Sequence, residues 1–299
     1  MKVLFIGGSG NLSADCAALM HDRGHEVFVV SRGSTPVPAG YRMVLADYRN
    51  PESMRAAVAG LTVDVVINFL GYDVDDVRRD HSLFQGSIGQ YLFISSASVY
   101  EKPARELPIT ENSPLGNPWW DYAQKKEACE RWLMERWENG RFPVTIVRPS
   151  HTYSERWIPN PVSSASYSFA SRLERGLPVF VPDDGESPWT LTAASDFAVG
   201  LCGLAGNDKA HGQAFHITSD ELLTWDGIHR ILARAAGAEA RLVHVPSDVI
   251  ARYDREWGDS LLGDKTHSMI FDNTKIKRFV PEFAATTPFA RGAEEIIAW

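Results

Sequence analysis

The sequence predicts an α/β protein built on a doubly wound parallel sheet, followed by a smaller mixed domain. Three observations indicate this class. Short apolar runs alternate with helical patterns through the first half of the chain, a glycine-rich turn follows the first run, and loops rich in Pro, Ser and Trp begin after Pro149. Apolar strands that alternate with helices are typical of a parallel sheet covered on both faces.

Six apolar runs are the expected strands of this sheet. They span residues 3–6, 27–30, 42–45, 63–68, 91–95 and 145–148, and a further run at 215–218 is a candidate strand returning to the same sheet. Between the first two runs, apolar residues recur near helical spacing, and Gly24 stands where a helix is expected to end. The chain therefore opens with a strand–helix–strand unit.

Bulk composition excludes several classes of protein. The chain has 299 residues, 44% of them apolar, and a formal charge of −8. This size allows a large buried core, and the acidic balance argues against a surface that neutralises nucleic-acid phosphates. Three widely spaced cysteines are typical of a reducing compartment. Because no apolar run approaches ~18 residues, we expect a cytoplasmic protein with no membrane or nucleic-acid partner.

The first strand runs into a glycine-rich turn, Gly7-Gly8-Ser9-Gly10-Asn11-Leu12-Ser13. Glycines in this position let backbone N–H groups approach a pyrophosphate at the positive end of a helix. Ser13 stands where a third glycine is usual, and that position needs only a small residue for close packing. The turn predicts a dinucleotide site whose contacts include Gly7, Ser9, Gly10, Asn11 and Leu12.

The residues after the second strand bear on cofactor preference. A site selective for NAD usually places Asp or Glu about 20 residues beyond the glycine turn, whereas this chain has Ser31 and Arg32. A guanidinium beside a hydroxyl suits a 2′-phosphate, which favours NADP(H). The alternative is that Arg32 is a solvated loop residue with no influence on the cofactor.

Two further patterns predict the chemistry. Ser96 lies at the carboxyl end of the fifth strand, where parallel sheets bind ligands. Tyr122 and Lys126 are four residues apart on a predicted helix, so they share a face. An ammonium placed there is expected to lower the pKa of the phenol from its ordinary value of ~10. Each pattern alone is common, and their order after the glycine turn makes them informative.

Taken together, these patterns resemble the extended short-chain dehydrogenase/reductases, specifically the NAD-dependent epimerase/dehydratase family. The resemblance covers nearly the whole chain. Its further marks are Asp47, Asp196 and the segments 146–153 and 272–275. It implies an NAD(P)-binding Rossmann domain over residues 1–154, with return segments near 193–218, and a substrate-binding domain over 155–299. It also implies a small-molecule substrate and a homodimer.

The resemblance implies a role for each site residue. Ser96 is expected to hydrogen-bond the reacting oxygen, Tyr122 to move its proton, and Lys126 to hold the nicotinamide ribose while lowering the pKa of Tyr122. Besides Tyr122 and Lys126, the expected cofactor contacts after the glycine turn are Ser31, Arg32, Asp47, Tyr48, Phe69, Leu70, Gly71 and Pro149. The expected substrate contacts are Tyr72, Ser98 and His151.

The reaction is left open by the sequence. Ala97 and Ser98 stand where sugar-nucleotide dehydratases carry an acid pair, so epimerisation or carbonyl reduction of a sugar nucleotide or similar polar metabolite fits better. Reduction of a non-sugar carbonyl is an alternative. Two alternatives belong to another class of function: a redox-sensing regulator that binds NADP, and an RNA-binding protein. The Tyr122/Lys126 pair counts against the regulator, and the negative charge of the chain counts against RNA binding. No His or Cys spacing predicts a metal site.

Overall fold

A computed structural model describes residues 1–34, 36–162 and 166–299 of the chain. Its strands are β1 (Lys2–Ile6), β2 (Glu26–Ser31), β3 (Arg42–Leu45), β4 (Val65–Asn68), β5 (Gln90–Ile94), β6 (Val144–Pro149), β7 (His151–Tyr153), β8 (Val179–Pro182), β9 (Leu191–Ala193), β10 (Gln213–Ile217) and β11 (Leu242–Val245). Its helices are α1 (Ser13–Asp22), α2 (Pro51–Val58), α3 (Val74–Phe84), α4 (Asp121–Gly140), α5 (Ser168–Glu174), α6 (Ala194–Leu204), α7 (Trp225–Ala235), α8 (Ser247–Tyr253), α9 (Arg255–Ser260), α10 (Thr274–Phe279) and α11 (Phe289–Ala298).

The central sheet is parallel, with the strand order β10-β6-β5-β4-β1-β2-β3. The predicted doubly wound fold is confirmed. The strand order reverses between β1 and β4, which are neighbours in the sheet. In open α/β sheets this reversal opens a crevice at the carboxyl ends of the strands, and ligands bind there.

Both faces of the sheet are covered by helices. Val3 and Phe5 of β1 pack into a core shared with α1 and α6, while Leu4 and Ile6 point into a second core shared with α2, α3 and α4. Because successive side chains of a strand point to opposite faces, an unbroken apolar run such as β1 serves both cores. This arrangement explains why the strands of the sheet could be found from their apolar runs.

The last strand of the sheet comes from much later in the chain. The candidate run at 215–218 is β10, which pairs with β6 from Gln213 opposite Thr145 to Ile217 opposite Pro149. The sheet therefore takes in one of the expected return segments beyond residue 154. The division of the chain into domains at that residue stays a prediction.

A separate hydrophobic core lies outside the sheet, under the two short pairs β7/β9 and β8/β11. Its largest members are Trp189 and Trp225, whose rings are 5.5 Å apart, and Phe289 of α11. Between α9 and α10 the chain forms one turn of π-helix, Leu261–Lys265. Within the described ranges, no helix is both long and apolar enough to cross a bilayer.

Candidate active site

The glycine turn has a backbone shape that only glycine adopts without strain. Gly7 has φ = +88°, and a Cβ built there would be 2.7 Å from Cγ of Leu70. The hydroxyl of Ser13 accepts a hydrogen bond from the Gly10 N–H at 2.8 Å. Ser13 thus closes the turn on itself, a contribution that a third glycine would not make. The same turn contacts the later chain, because Ser154 donates a hydrogen bond from Oγ to Oδ1 of Asn11.

A cavity of ≈410 Å³ lies beside this turn at the ends of β2 and β3. It is lined by these predicted cofactor contacts: Gly7, Ser9, Gly10, Ser31, Arg32, Asp47, Tyr48 and Leu70. Arg32 is exposed and makes no ion pair within the described residues. Tyr48 borders the cavity with its ring, whereas its hydroxyl donates inward to buried Asp80 at 3.2 Å.

The turn after β4 is held in place by the buried side-chain amide of Asn68. Oδ1 of Asn68 accepts hydrogen bonds from the N–H groups of Leu70, at 2.7 Å, and Gly71, at 2.8 Å. The carbonyl of Gly71 in turn accepts a hydrogen bond from Nζ of Lys126 at 2.7 Å. Phe69 and Leu70 line a second cavity, of ≈340 Å³, which also contacts Leu12, Ser96 and Pro149.

Lys126 is buried, with 2% of its surface exposed. Its ammonium donates to the carbonyls of Gly71 and Ile94, each at 2.7 Å, and one of its three N–H groups is left for a ligand in the cavity that it lines. Burial lowers the pKa of Lys126 to about 8. Hydrogen bonds to the two carbonyls stabilise the charged form of Lys126, whereas the loss of hydration on burial destabilises it.

Tyr122 and Ser96 both line the second cavity, and the Ser96 side chain is close enough to the phenol to act on its pKa. Ser96 is also held by Ser98, which donates to its Oγ from the backbone N–H at 3.2 Å and from the side-chain hydroxyl at 2.9 Å. The expectation that Lys126 lowers the pKa of Tyr122 is wrong for the structure as it stands. Burial, followed by neighbouring Tyr72, raises the pKa of Tyr122, because Lys126 directs its donors at two carbonyls and its Nζ lies 5.9 Å from the Tyr122 ring centroid.

A third cavity, of ≈390 Å³ and called here the distal cavity, is lined by Tyr122, by Asn11 of the glycine turn and by part of the π-helical turn. The predicted substrate contacts Tyr72, Ser98 and His151 all line it. Tyr72 also lines the other two cavities, and its ring centroid lies 6.1 Å from that of Tyr122. His151 is neutral at physiological pH, because burial and then the charge of Lys265 lower its pKa to about 3.

Several residues that line the distal cavity were not found from the sequence. They include Trp157, Asp264 and Lys265. Asp264 and Lys265 belong to the π-helical turn. Asn117 attaches this turn to the segment that follows β5, because Nδ2 of Asn117 donates to the carbonyls of Ser98 at 2.8 Å and Gly263 at 2.5 Å. No motif marks this segment, so sequence reasoning had no signal for it.

The three cavities adjoin one another along the carboxyl ends of the parallel strands. Gly7, Gly10 and Leu70 line both the first and the second, and Ser96, Tyr122 and Thr152 line both the second and the distal one. Within the described residues, the buried hydroxyl of Ser95 in the second cavity has no hydrogen-bond partner. The glycine turn, the free N–H of Lys126 and the Ser95 hydroxyl together fit a dinucleotide laid along the sheet edge. These features define a nucleotide-binding α/β protein.

Comparison with known proteins makes the assignment more specific. Residues 81–218 match the model of the NAD dependent epimerase/dehydratase family. A solved short-chain dehydrogenase/reductase superfamily protein from Agrobacterium tumefaciens with bound NAD superposes with a TM-score of 0.78 at 17% identity, covering 100% of this chain and 96% of that one. The resemblance predicted from sequence is confirmed: residues 81–218 are similar to the NAD dependent epimerase/dehydratase family, and the fold is similar to that of the short-chain dehydrogenase/reductase protein.

Two curated relatives are similar over most of the chain. The 2′-dehydrokanamycin reductase of Streptomyces kanamyceticus is 26% identical over 285 residues, 95% of this chain and 80% of its own length. The chloroplast stem-loop binding protein of 41 kDa b from Arabidopsis thaliana is 26% identical over 259 residues, 81% of this chain and 65% of its own length. The family and its relatives indicate an NAD(P)-dependent enzyme that acts on small molecules.

Proposed function

We propose that this protein transfers a hydride reversibly between NADP(H) and an alcohol or ketone carbon of a small polar metabolite, such as a sugar nucleotide. The observation that carries this proposal is the position of Tyr122, which lies with Ser96 where the second and distal cavities adjoin. A reacting carbon there has a proton-transfer group on one side and the predicted nicotinamide position on the other.

The side chains have distinct tasks in this proposal. The nicotinamide, when bound, supplies or accepts the hydride. Ser96 and Tyr122 hydrogen-bond the reacting oxygen, and Tyr122 delivers or removes its proton. Lys126 uses its remaining N–H to bind the nicotinamide ribose.

The protonation state of Tyr122 is compatible with reduction. Its phenol is protonated at neutral pH, so it has a proton to donate to an oxygen that becomes negative as the carbonyl accepts a hydride. The reductase named among the relatives supports the same direction. Epimerisation needs the same groups to work in both directions and remains the alternative outcome.

The proposal also covers location and assembly. The free, buried state of Cys16, Cys129 and Cys202 supports a reducing compartment such as the cytoplasm. Assembly as a homodimer rests on the family resemblance.

The test begins with the purified protein. We expect it to bind NADPH stoichiometrically and to consume it, seen as loss of NADPH absorbance, when given a ketone substrate from a panel of sugar-nucleotide and other polar ketones. Retained cofactor with turnover but no net absorbance change would instead assign an epimerase. Failure to bind either dinucleotide, combined with salt-sensitive RNA binding in a filter assay, would contradict the proposal and assign the chain to nucleic-acid binding.

Cofactor preference should depend on Arg32. Replacing Arg32 with Ala removes the one guanidinium that lines the end of the first cavity beside Ser31, so we expect NADPH to bind about tenfold more weakly while NADH binding stays within about twofold. Fluorescence titration of each dinucleotide measures both constants. Arg49→Ala is a useful comparison because Arg49 lines the same cavity beside Asp47. An unchanged NADPH/NADH ratio in Arg32→Ala would remove Arg32 from cofactor selection.

A further inference from the structure

The distal cavity contains a charge cluster that the proposed hydride transfer does not use. Asp264 and Lys265 lie at its wall, and Lys102 contacts Asp264 from behind that wall; the side chains of Lys102, Asp264 and Lys265 are 0%, 14% and 3% exposed. Two ammonium groups therefore share one carboxylate in a region from which water is largely excluded. The cluster carries one net positive charge.

The distances show which ammonium lacks a partner. Lys102 lies 3.3 Å from Oδ1 of Asp264 and also donates to the carbonyl of Ala97 at 3.4 Å. Nζ of Lys265 lies 3.9 Å from the other oxygen of Asp264 and 5.2 Å from the Trp120 ring centroid, and within the described residues this ammonium makes no hydrogen bond. A buried ammonium without hydrogen bonds is costly, because the lost hydration is not replaced. The uncompensated charge is therefore that of Lys265.

A second polar group in the same cavity also lacks a partner. Nε2 of His151 is buried and has no hydrogen-bond partner within the described residues. His151 and Lys265 both line the distal cavity, and the charge of Lys265 acts on the imidazole. The wall is completed by Trp120 and Trp157. A ligand that fills this space meets one cation, one neutral hydrogen-bonding ring and two apolar surfaces.

We infer that the substrate carries an anionic oxygen group, a carboxylate or a phosphate, which pairs with Lys265 and hydrogen-bonds His151. This inference rests on the proposed function, since it names the substrate class of the same site. It also gives a position for the anion. The Trp120 ring lies 4.8 Å from the Tyr122 ring centroid and 5.2 Å from Nζ of Lys265. Trp120 thus contacts both the Tyr122 ring and the Lys265 ammonium, so the acidic group is expected in the same part of the cavity as the proton-transfer group.

The experiment uses acetate and inorganic phosphate as the probes, titrated by calorimetry into the whole protein with saturating NADP⁺ so that the cofactor's own phosphate contacts are filled. We expect saturable binding of at least one probe to the unmodified protein, and the stronger probe distinguishes a carboxylate site from a phosphate site. Lys265→Met should weaken that binding by about tenfold or more. Lys209→Met, which removes the same charge at an exposed position, should leave it unchanged.

A substitution that is expected to strengthen anion binding provides a control for folding. Asp264→Asn removes the competing carboxylate and should strengthen binding of the probe several-fold, a gain that structural damage does not produce. Lys265→Gln removes the charge but keeps a polar end group, and it replaces Lys265→Met if the latter does not fold. Equal anion binding in the Lys265 variants and the unmodified protein, or no saturable binding at all, would overturn the inference. Titration of NADPH in the same samples separates that result from failure of the proposed function, which requires loss of NADPH binding.

Discussion

Replacement of Tyr122 with phenylalanine is expected to lower kcat by a factor of about 10² to 10⁴, the usual contribution of a positioned acid–base group. The variant keeps the ring, whose centroid lies 4.8 Å from that of Trp120, and loses only the hydroxyl. Steady-state kinetics with the ketone found in the panel measures the loss. Because the hydroxyl acts on the reacting oxygen, the loss should fall on kcat and kcat/KM together.

Two controls show whether the loss belongs to chemistry. NADPH should bind to Tyr122→Phe with nearly unchanged affinity, because the glycine turn and Lys126 are intact. Tyr253 is 89% exposed and far along the chain, so Tyr253→Phe makes the same chemical change without a catalytic consequence. A Tyr122→Phe variant with more than about a tenth of normal kcat would exclude proton transfer by this phenol.

Separating Arg148 from Glu130 is expected to cost about 3–5 kcal/mol of unfolding free energy, the typical result of leaving one buried charge alone. The guanidinium on β6 donates to both carboxylate oxygens of Glu130 on α4, at 3.0 and 2.6 Å, and both residues are buried. Its other nitrogen donates to the hydroxyl of Tyr100 at 3.1 Å. Either Arg148→Met or Glu130→Gln leaves a charge without its counterion. Urea unfolding followed by circular dichroism measures the cost.

The double variant Arg148→Met/Glu130→Met tests the reason for that cost. If the penalty comes from an uncompensated charge and not from lost packing, the double variant should be more stable than either single variant, because no buried charge remains. Arg291 and Glu295 form an exposed pair four residues apart on α11, and Arg291→Met should cost less than about 1 kcal/mol. Single variants as stable as the unmodified protein would show that water reaches the Arg148/Glu130 pair.

The parts of the site that were predicted from sequence are those carried by short segments. Gly7 to Ser13 follow a strand directly, Ser96 follows another, and Tyr122 and Lys126 are one helical turn apart. The structure brings these segments to one edge of the sheet, and every predicted contact except buried Gly71 borders at least one of the three cavities. The exception is the predicted pKa of Tyr122. The same four-residue spacing led to an expected fall in the pKa of Tyr122, whereas burial raises it, and burial depends on segments far away in the sequence.

The sequence by itself determined the parallel sheet, the nucleotide turn and the order of Ser96, Tyr122 and Lys126, since apolar runs, glycine freedom and helical spacing are properties of neighbouring residues. Only the tertiary structure decided the character of the distal cavity. Whether Lys265 is an ordinary surface lysine or a buried cation depends on Gly263 packing against Trp120 and on Asn117 reaching the π-helical turn. These contacts join segments that are distant in the sequence and determine how much water reaches Lys265. The loss of hydration in turn determines what a buried charge can bind.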